Sequence, residues 1–226
     1  MTDMMRTFSC EGLYDPQLGL ALKSAVVPNT VRADGASLVV ITGANQGGKS
    51  TLLSAFGIAQ LMAQRGMFVA AEHFSASLVP ALATHYKREE DAALASGNFD
   101  EELARMNEIV DHFHPDMLLL CNESFAATSE KEASEVADGV IEALRKAGGR
   151  VIFVTHLYEY ARRAVERDDP AVLFLRAVRD DSGERPFVIA PGVPLPTSFG
   201  EDLYIKIFNP PPVIEPGTPK VADIVG

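Results

Sequence analysis

Long apolar runs, cysteine and positive charge are all scarce in this sequence, and each shortage removes a class of protein. No apolar stretch reaches the ~18 residues that a bilayer-spanning helix needs. Nothing behind the opening Met-Thr-Asp-Met-Met-Arg looks like the apolar core of a signal peptide. A cytoplasmic protein without a membrane partner is the expectation. Cys10 and Cys121 are the only cysteines, too few for a disulfide framework, and Cys121 lies in an apolar run where a reduced core thiol belongs. Lys and Arg total 20 against 31 Asp and Glu, a formal net charge of −11. Binding to DNA rests on Lys and Arg displacing phosphate counterions, so a chain this acidic should hold plain duplex weakly by itself.

What is present is an ordinary globular composition. The 226 residues are 47% apolar and 23% charged, enough for one large domain with its own core. Strand and helix patterns alternate. Residues 37–42 (SLVVIT) read as a short strand ending at glycine, and 50–63 as a helix with Leu52, Leu53, Phe56, Ile58 and Leu61 apolar. Residues 67–70 (MFVA) read as a strand, while 72–98 are polar and mixed. Residues 100–113 place Leu103, Met106, Val110 and Phe113 on one helix face. Residues 117–121 (MLLLC) and 151–155 (VIFVT) read as strands covered on both faces. Ser129 and Glu132 have capping-box spacing and open a helix to about residue 147, with Ala133, Val136, Val140 and Leu144 inward. Residues 171–178 and 186–190 flank a turn segment at 180–183, the pattern of an antiparallel hairpin. Ser198 and Glu201 form a second capping box. The last 18 residues hold five of the 14 prolines, so the division expected is a domain over 1–208 and a flexible tail over 209–226. Alternating strands and helices imply an α/β fold with a mostly parallel central sheet, whose ligands sit at the carboxyl ends of the strands.

The motifs fall at those ends. Gly43-Ala44-Asn45-Gln46-Gly47-Gly48-Lys49-Ser50 fits the phosphate-loop pattern G-x-x-x-x-G-K-[ST]. Glycines let the backbone curl so that successive N–H groups face one anion, and the helix that follows adds the positive end of its dipole. Lys49 would neutralise the β- and γ-phosphates of ATP, and the Ser50 hydroxyl would sit on Mg2+. A bare match of this kind arises by chance in roughly one chain in a hundred of this length, but here the required strand precedes it and the required helix follows.

Such a site also needs a carboxylate at the end of a neighbouring buried strand. Leu118-Leu119-Leu120-Cys121-Asn122-Glu123 supplies one. Glu123 is the candidate general base or water-positioning group. Asn122 stands where an aspartate is usual; its amide oxygen can accept from a metal-bound water but carries no charge. Ser50, Asn122 and Glu123 are thus the candidate metal set. The alternative is that Asn122-Glu123 is only a polar strand end. His156 follows VIFVT directly and is placed to bond a γ-phosphate oxygen or the attacking water. His112 and His114 have no matching carboxylate or cysteine cluster and read as solvated.

Together these segments resemble the ATPase domain of the MutS DNA mismatch-repair family, an ABC-type P-loop ATPase. Thr42-Gly43-Ala44-Asn45-Gln46-Gly47-Gly48-Lys49-Ser50-Thr51 is similar to that family's T-G-P-N-M-G-G-K-S-T. Gly66-Met67-Phe68-Val69 resembles G-x-F-V, residues 118–128 resemble L-x-L-x-D-E-x-x-x-G-T, Thr155-His156 resembles A-T-H, and Thr197-Ser198-Phe199-Gly200 resembles K-S-Y-G. The resemblance implies an ABC-ATPase-like fold in which Gly43 through Thr51 bind ATP, Ser50 also holds Mg2+, Lys49 and Glu123 support hydrolysis and His156 senses the γ-phosphate. It places the adenine at Val26-Val27-Pro28-Asn29, making Val27 and Asn29 further candidates, although an aromatic ring often found there is missing. It implies a homodimer with composite sites, and DNA contact through domains outside this chain. The chain departs from the pattern at Asn122, where the family has aspartate, which implies weaker Mg2+ binding or slower turnover. It departs also at Ala127, in place of glycine, and at Gly97, in a stretch that resembles the family's S-x-F-x-x-E, where the serine reaches the partner's nucleotide; Ser96 lies one residue away, and Phe99 and Glu102 match. Two other readings stay open. A transporter-type ABC ATPase would carry an L-S-G-G-Q-like signature, which is not found. A nucleotide-gated assembly module with little hydrolysis draws support from Asn122.

Overall fold

The computed structural model describes residues 6–87, 98–179 and 185–195. In chain order the elements are β1 (Phe8–Leu13), α1 (Pro16–Leu22), β2 (Asn29–Arg32), β3 (Leu38–Thr42), α2 (Lys49–Gln64), β4 (His73–Ala76) and β5 (Leu82–Tyr86). Then come α3 (Asn98–Asp111), β6 (Leu118–Asn122), α4 (Glu130–Lys146), β7 (Arg150–Val154), α5 (Tyr158–Glu166), β8 (Val172–Ala177) and β9 (Ile189–Pro191). The apolar runs become the middle of a six-stranded sheet ordered β5-β6-β7-β3-β8-β9. Its first five strands are parallel, and β9 returns antiparallel to β8 with Leu175 opposite Pro191 and Ala177 opposite Ile189. The expected α/β class, mostly parallel sheet and late hairpin are what the chain adopts.

Strand periodicity divides the core in two. Val39 and Ile41 of β3, Leu118 and Leu120 of β6, and Ile152 and Val154 of β7 face one way. They pack against Leu52, Leu53 and Phe56 of α2, and against Phe8, Cys10 and Leu13 of β1. Leu38 and Val40, Leu119 and Cys121, and Val151 and Phe153 face the other way, against Met106 of α3, Ala133, Ala137 and Ile141 of α4, and Tyr160 and Ala161 of α5. All five residues of β3 and of β7 are buried, as a strand covered on both faces requires. Both cysteines are buried and free, and desolvation pushes both thiols up, Cys10 to about 11 and Cys121 to about 12.

Several sequence expectations need correction. Residues 67–70 form no strand: Phe68 is 98% exposed, and the segment is a loop off the end of α2 in which Met67 N–H donates to Met62 O. The polar region behind it holds β4 and β5 instead. β4 joins β1 and β2 in a small antiparallel sheet ordered β2-β1-β4, which covers α2 and which the periodicity did not disclose. On α4 the inward face is Ala133, Ser134, Ala137, Ile141 and Leu144, leaving Val136 and Val140 at its margin. Leu61 and Val110 are exposed. The Ser129 hydroxyl does accept from Glu132 N–H at 3.4 Å, but the Glu132 carboxylate turns to the Thr128 hydroxyl, so half of the capping box forms. Ser198, Glu201, Ser96, Gly97 and the tail lie outside the described residues. Among the described residues no helix is long and apolar enough to cross a membrane.

Candidate functional site

The glycine loop leaves the carboxyl end of β3. Its bends are tight because the end of β8 passes beside it. A Cβ on Gly43, whose φ is +111°, would sit 2.9 Å from Ala177 N, and one on Gly47 would sit 2.7 Å from Ala177 Cβ. Gly48 caps α2 at φ +86° and supplies no side chain, so the amides of the first turn have no side-chain partner and face outward with the positive end of the dipole. Ala44 is buried beneath the loop, while Asn45, Gln46 and Ser50 are exposed and Thr51 is half-buried.

Lys49 is 5% exposed. Its ammonium donates to Gly43 O at 2.9 Å and Ala44 O at 2.8 Å, which leaves one of its three N–H donors for another acceptor. Burial lowers it to about 8, with Glu123 pulling the other way and Arg185 adding to the depression.

The strand bearing Asn122 and Glu123 is not the neighbour of β3 that the sequence reading placed there. β7 lies between them. The chemistry is therefore spread over three adjacent strand ends: the loop after β3, His156 after β7, and Asn122 with Glu123 at β6. Ser50 Oγ nevertheless donates to Asn122 Oδ1 at 2.8 Å, bridging the glycine loop to β6 across the tip of β7. Glu123 N–H donates to Val154 O at 2.8 Å, extending the pairing by one residue. Glu123 then turns left-handed at φ +53°, a conformation costing roughly 1–2 kcal/mol in a residue with a Cβ. The turn brings Glu123 Oε1 to 3.1 Å from His156 Nε2. That hydrogen bond is the main reason the Glu123 carboxyl titrates below its ordinary range, with the charges of His156, Lys49 and Lys87 adding to it against the burial penalty. Glu123 is thus ionised at neutral pH.

A cleft of about 560 Å3 opens beside the loop. It is lined by Gly47 to Thr51 and Glu123, and by the apolar side chains of Leu18, Leu22 and Val27 with Tyr14. Val27 lies in the cleft with its side chain partly exposed. Asn29 lines it too, but its amide is committed: Nδ2 donates to Phe187 O at 3.2 Å and Oδ1 accepts from Ile189 N–H at 2.7 Å. The aromatic surface missing at 26–29 comes from elsewhere. Phe187, half exposed at φ +59°, and Tyr14 both line the cleft. Arg185 also reaches the loop, with Nη1 3.4 Å from Gln46 Oε1. None of the three was singled out in the sequence. Arg185 and Phe187 arrive through the hairpin fold-back, and only the Pro186 between them hinted at a fixed backbone there. His112 is exposed and its ring bonds Glu108 O at 2.8 Å, and His114 is exposed.

The arrangement concentrates outward-facing amides, one buried cation, a hydroxyl–amide pair and an ionised carboxylate held by an imidazole. Such a setting favours a bound anion. The family model for MutS domain V matches residues 39–216. The chain is similar to the DNA mismatch repair protein MutS of Synechococcus sp. (strain RCC307), 32% identical over 205 residues, which cover 81% of this chain and 23% of that protein. It is similar to MutS of Chloroflexus aurantiacus (strain ATCC 29366 / DSM 635 / J-10-fl), 28% identical over 93% of this chain and 22% of the relative. It is likewise similar to MutS of Myxococcus xanthus (strain DK1622), 31% identical over 86% and 22%. The chain spans less than a quarter of the length of these curated relatives.

Proposed function

Because the chain belongs to the family of MutS domain V, we propose that it is an ABC-ATPase-like P-loop domain that binds ATP with Mg2+ and hydrolyses it. The observation that carries this reading is the convergence of Lys49, Ser50, Asn122, Glu123 and His156 from three adjacent strand ends. In this reading the triphosphate lies over residues 43–51. The base and ribose occupy the cleft between Val27 and Phe187, with Asn29 holding the hairpin that presents Phe187.

The residues present fit Mg2+. Ser50 Oγ and Asn122 Oδ1 are hard oxygens 2.8 Å apart with Glu123 beside them. No cluster of three His, Cys, Asp or Glu exists among the described residues, as expected of an ion that keeps waters and phosphate oxygens rather than a protein cage. When bound, the ion would be held near Ser50, Asn122 and Glu123 and would supply positive charge against the phosphates. Lys49 directs its remaining N–H at the phosphates and offsets the negative charge that develops as the terminal P–O bond breaks. Glu123, ionised and held by His156, accepts a hydrogen bond from the attacking water and aligns it with the γ-phosphorus. His156 shares its imidazole between Glu123 and the γ-phosphate. Electrostatic positioning of this kind is the main source of acceleration in phosphoryl transfer. Asn122 brings no charge to the metal, so turnover should be slow.

By the same reading the ATPase domain runs over 1–208 with a Pro-rich tail over 209–226. Two copies associate through the ATPase face, and nucleotide state is passed to DNA-engaging domains outside this chain, in a process akin to mismatch repair. The second reading, a nucleotide-gated assembly module with little hydrolysis, is favoured by Asn122 alone. The deciding experiment is steady-state ATP hydrolysis across protein concentration, for the parent, Lys49→Ala and Glu123→Ala. Specific activity that rises with concentration and is lost in both variants supports the ATPase. Activity untouched by both substitutions overturns it. ATP binding and ATP-driven dimerisation with hydrolysis at background supports the assembly module.

A further inference from the structure

Behind Glu123, on the side away from the cleft, lies a buried polar cluster that the reaction just described does not use. His85 on β5 and Glu102 in the first turns of α3 are 1% and 3% exposed, in a layer otherwise made of Met106, Leu119, Cys121 and Phe125. His85 Nδ1 lies 2.6 Å from Ser124 Oγ, and His85 Nε2 lies 3.1 Å from Glu102 O. A backbone carbonyl only accepts, so Nε2 carries the proton and Nδ1 is the acceptor in the neutral ring; the Ser124 hydroxyl, which also lies 3.0 Å from His85 O, shares its single proton between Nδ1 and that carbonyl. One neutral tautomer satisfies both bonds, and burial, which moves the imidazole below its ordinary range, keeps it neutral. Glu102 Oε1 accepts from Phe125 N–H at 2.6 Å, and the Phe125 ring stacks on His85 with centroids 5.8 Å apart.

The clamp closes on a backbone that needs holding. Glu123 at φ +53° and Phe125 at φ +70° are both left-handed, on either side of Ser124. Residues with a Cβ adopt that region only where surroundings impose it. Neither His85 nor Glu102 lines the cleft. A buried carboxyl and imidazole are unfavourable in an apolar layer unless their bonds are used; here His85 Nδ1 is spent on Ser124, Glu102 Oε1 on Phe125, and His85 Nε2 ties β5 to α3, while Glu102 Oε2 has no partner among the described residues. We propose that His85 and Glu102 are positioning residues that lock the Glu123-Ser124-Phe125 turn, and so aim the Glu123 carboxylate, while tying that aim to the first turns of α3. A displacement of α3 is then felt at Glu123 without passing through the nucleotide. This rests on the reading of Glu123 as the water-positioning group.

The test compares the parent with Glu102→Ala, Glu102→Gln, Ser124→Ala and Glu123→Ala, reading kcat, KM, nucleotide affinity and the His156 imidazole resonances by NMR. Glu102→Ala should lower kcat about tenfold or more with KM and affinity within about threefold. Its His156 signals should move towards those of Glu123→Ala. Glu102→Gln keeps a side-chain carbonyl for Phe125 N–H and should restore kcat to within about threefold of the parent. Ser124→Ala, which removes one hydroxyl and leaves the fold, serves if Glu102→Ala does not fold; a smaller shift of the same signals is expected. Unchanged kcat and unchanged His156 signals in both Glu102→Ala and Ser124→Ala, with Glu123→Ala changing both, overturns the clamp and leaves the ATPase reading standing. If Glu123→Ala leaves turnover intact, the ATPase reading falls, and the His156 signals alone decide the clamp.

Discussion

The two ends of the central sheet both carry buried or half-buried charge, and they use it differently. At the amino end, Arg150 opens β7 at 4% exposure. Its guanidinium donates to Ala36 O at 3.1 Å and Thr7 O at 2.9 Å, and stands 5.7 Å over the Phe8 ring. Arg6 beside it donates to Gly148 O at 2.7 Å and pairs with Asp116 at 2.6 Å. These cations staple the loops that enter β3 and β7 to β1, and apart from Asp116 their partners are backbone carbonyls away from any cleft that holds Lys49 or Glu123. At the carboxyl end, Ser50 bonds Asn122 and His156 bonds Glu123, side chain to side chain around outward-facing amides. Those bonds can be exchanged for bonds to a ligand. One end is built to be kept and the other to be traded, and substitutions should separate stability from binding accordingly.

The sharpest separation is expected from Lys49→Ala. Losing the one cation inside the glycine loop should weaken ATP binding roughly a thousandfold, about 4 kcal/mol, in a fluorescent-nucleotide titration. The folded chain should lose less thermal stability than Arg150→Ala removes, because Lys49 lines the open cleft and water can take the place of its ammonium on Gly43 O and Ala44 O. A large drop in Tm would show that Lys49 belongs with the structural cations instead.

Arg150→Ala should give the mirror image. Two loop carbonyls lose a charged donor in a buried setting, worth about 3 kcal/mol together, which for a domain of this size lowers Tm by roughly 6–12 °C. Nucleotide affinity measured well below the new Tm should stay within about twofold. A parallel loss of affinity would break the division between the two ends.

Asn122→Asp acts within the carboxyl end and should have a smaller effect of opposite sign. A carboxylate next to Ser50 should tighten Mg2+ in the ATP complex by about tenfold and raise turnover with it. Isothermal titration of Mg2+ into the ATP-bound protein reads the first, and phosphate release the second. Unchanged Mg2+ affinity would place the ion away from β6.

How much of this was legible in the sequence follows from where each signal lives. β3, β6 and β7 are short unbroken apolar runs bounded by glycine or polar residues, and burial on both faces makes such runs self-announcing. The small sheet is not like that. β4 (HFSA) alternates exposed and half-buried positions and β1 is broken by a shifted register between Cys10 and Leu13, so neither shows a clean period. Residues 67–70 mislead in the opposite sense: MFVA has strand composition, yet Phe68 points into solvent, and composition alone carries no information about pairing. At the site, residue identities and spacing announced Lys49, Ser50, Asn122, Glu123 and His156 as a group. Spatial order was invisible, because β7 enters between β3 and β6 from later in the chain. His85 was missed for a related reason, and Glu102 is visible in the sequence only as a match to the family's S-x-F-x-x-E stretch, not as a contact of the turn after Glu123. Their meaning is a contact between β5, α3 and the turn after β6, and no local pattern encodes it.

The gentlest probe of the comparison is pH, since it titrates Lys49 without altering any atom of the fold. Burial holds this ammonium at about 8 rather than its ordinary 10.5. Between those two values the unfolded chain binds more protons than the folded one, so the penalty of burying the charge is fully present below about 8 and is relieved as pH rises through that window. Nucleotide binding has the reverse sign, because it is the protonated Lys49 that meets the phosphates. Raising pH from 7 to 9 should therefore weaken ATP binding by about tenfold, the fraction of protonated Lys49 lost over that range. Lys49→Arg, which stays charged, should bind more weakly than the parent at pH 7 but lose that slope. Nucleotide titrations at matched ionic strength across pH 7 to 9 read the effect. A flat profile in the parent would mean that the charge of Lys49 is spent on Gly43 O and Ala44 O rather than on the ligand, and the carboxyl end would then resemble the amino end after all.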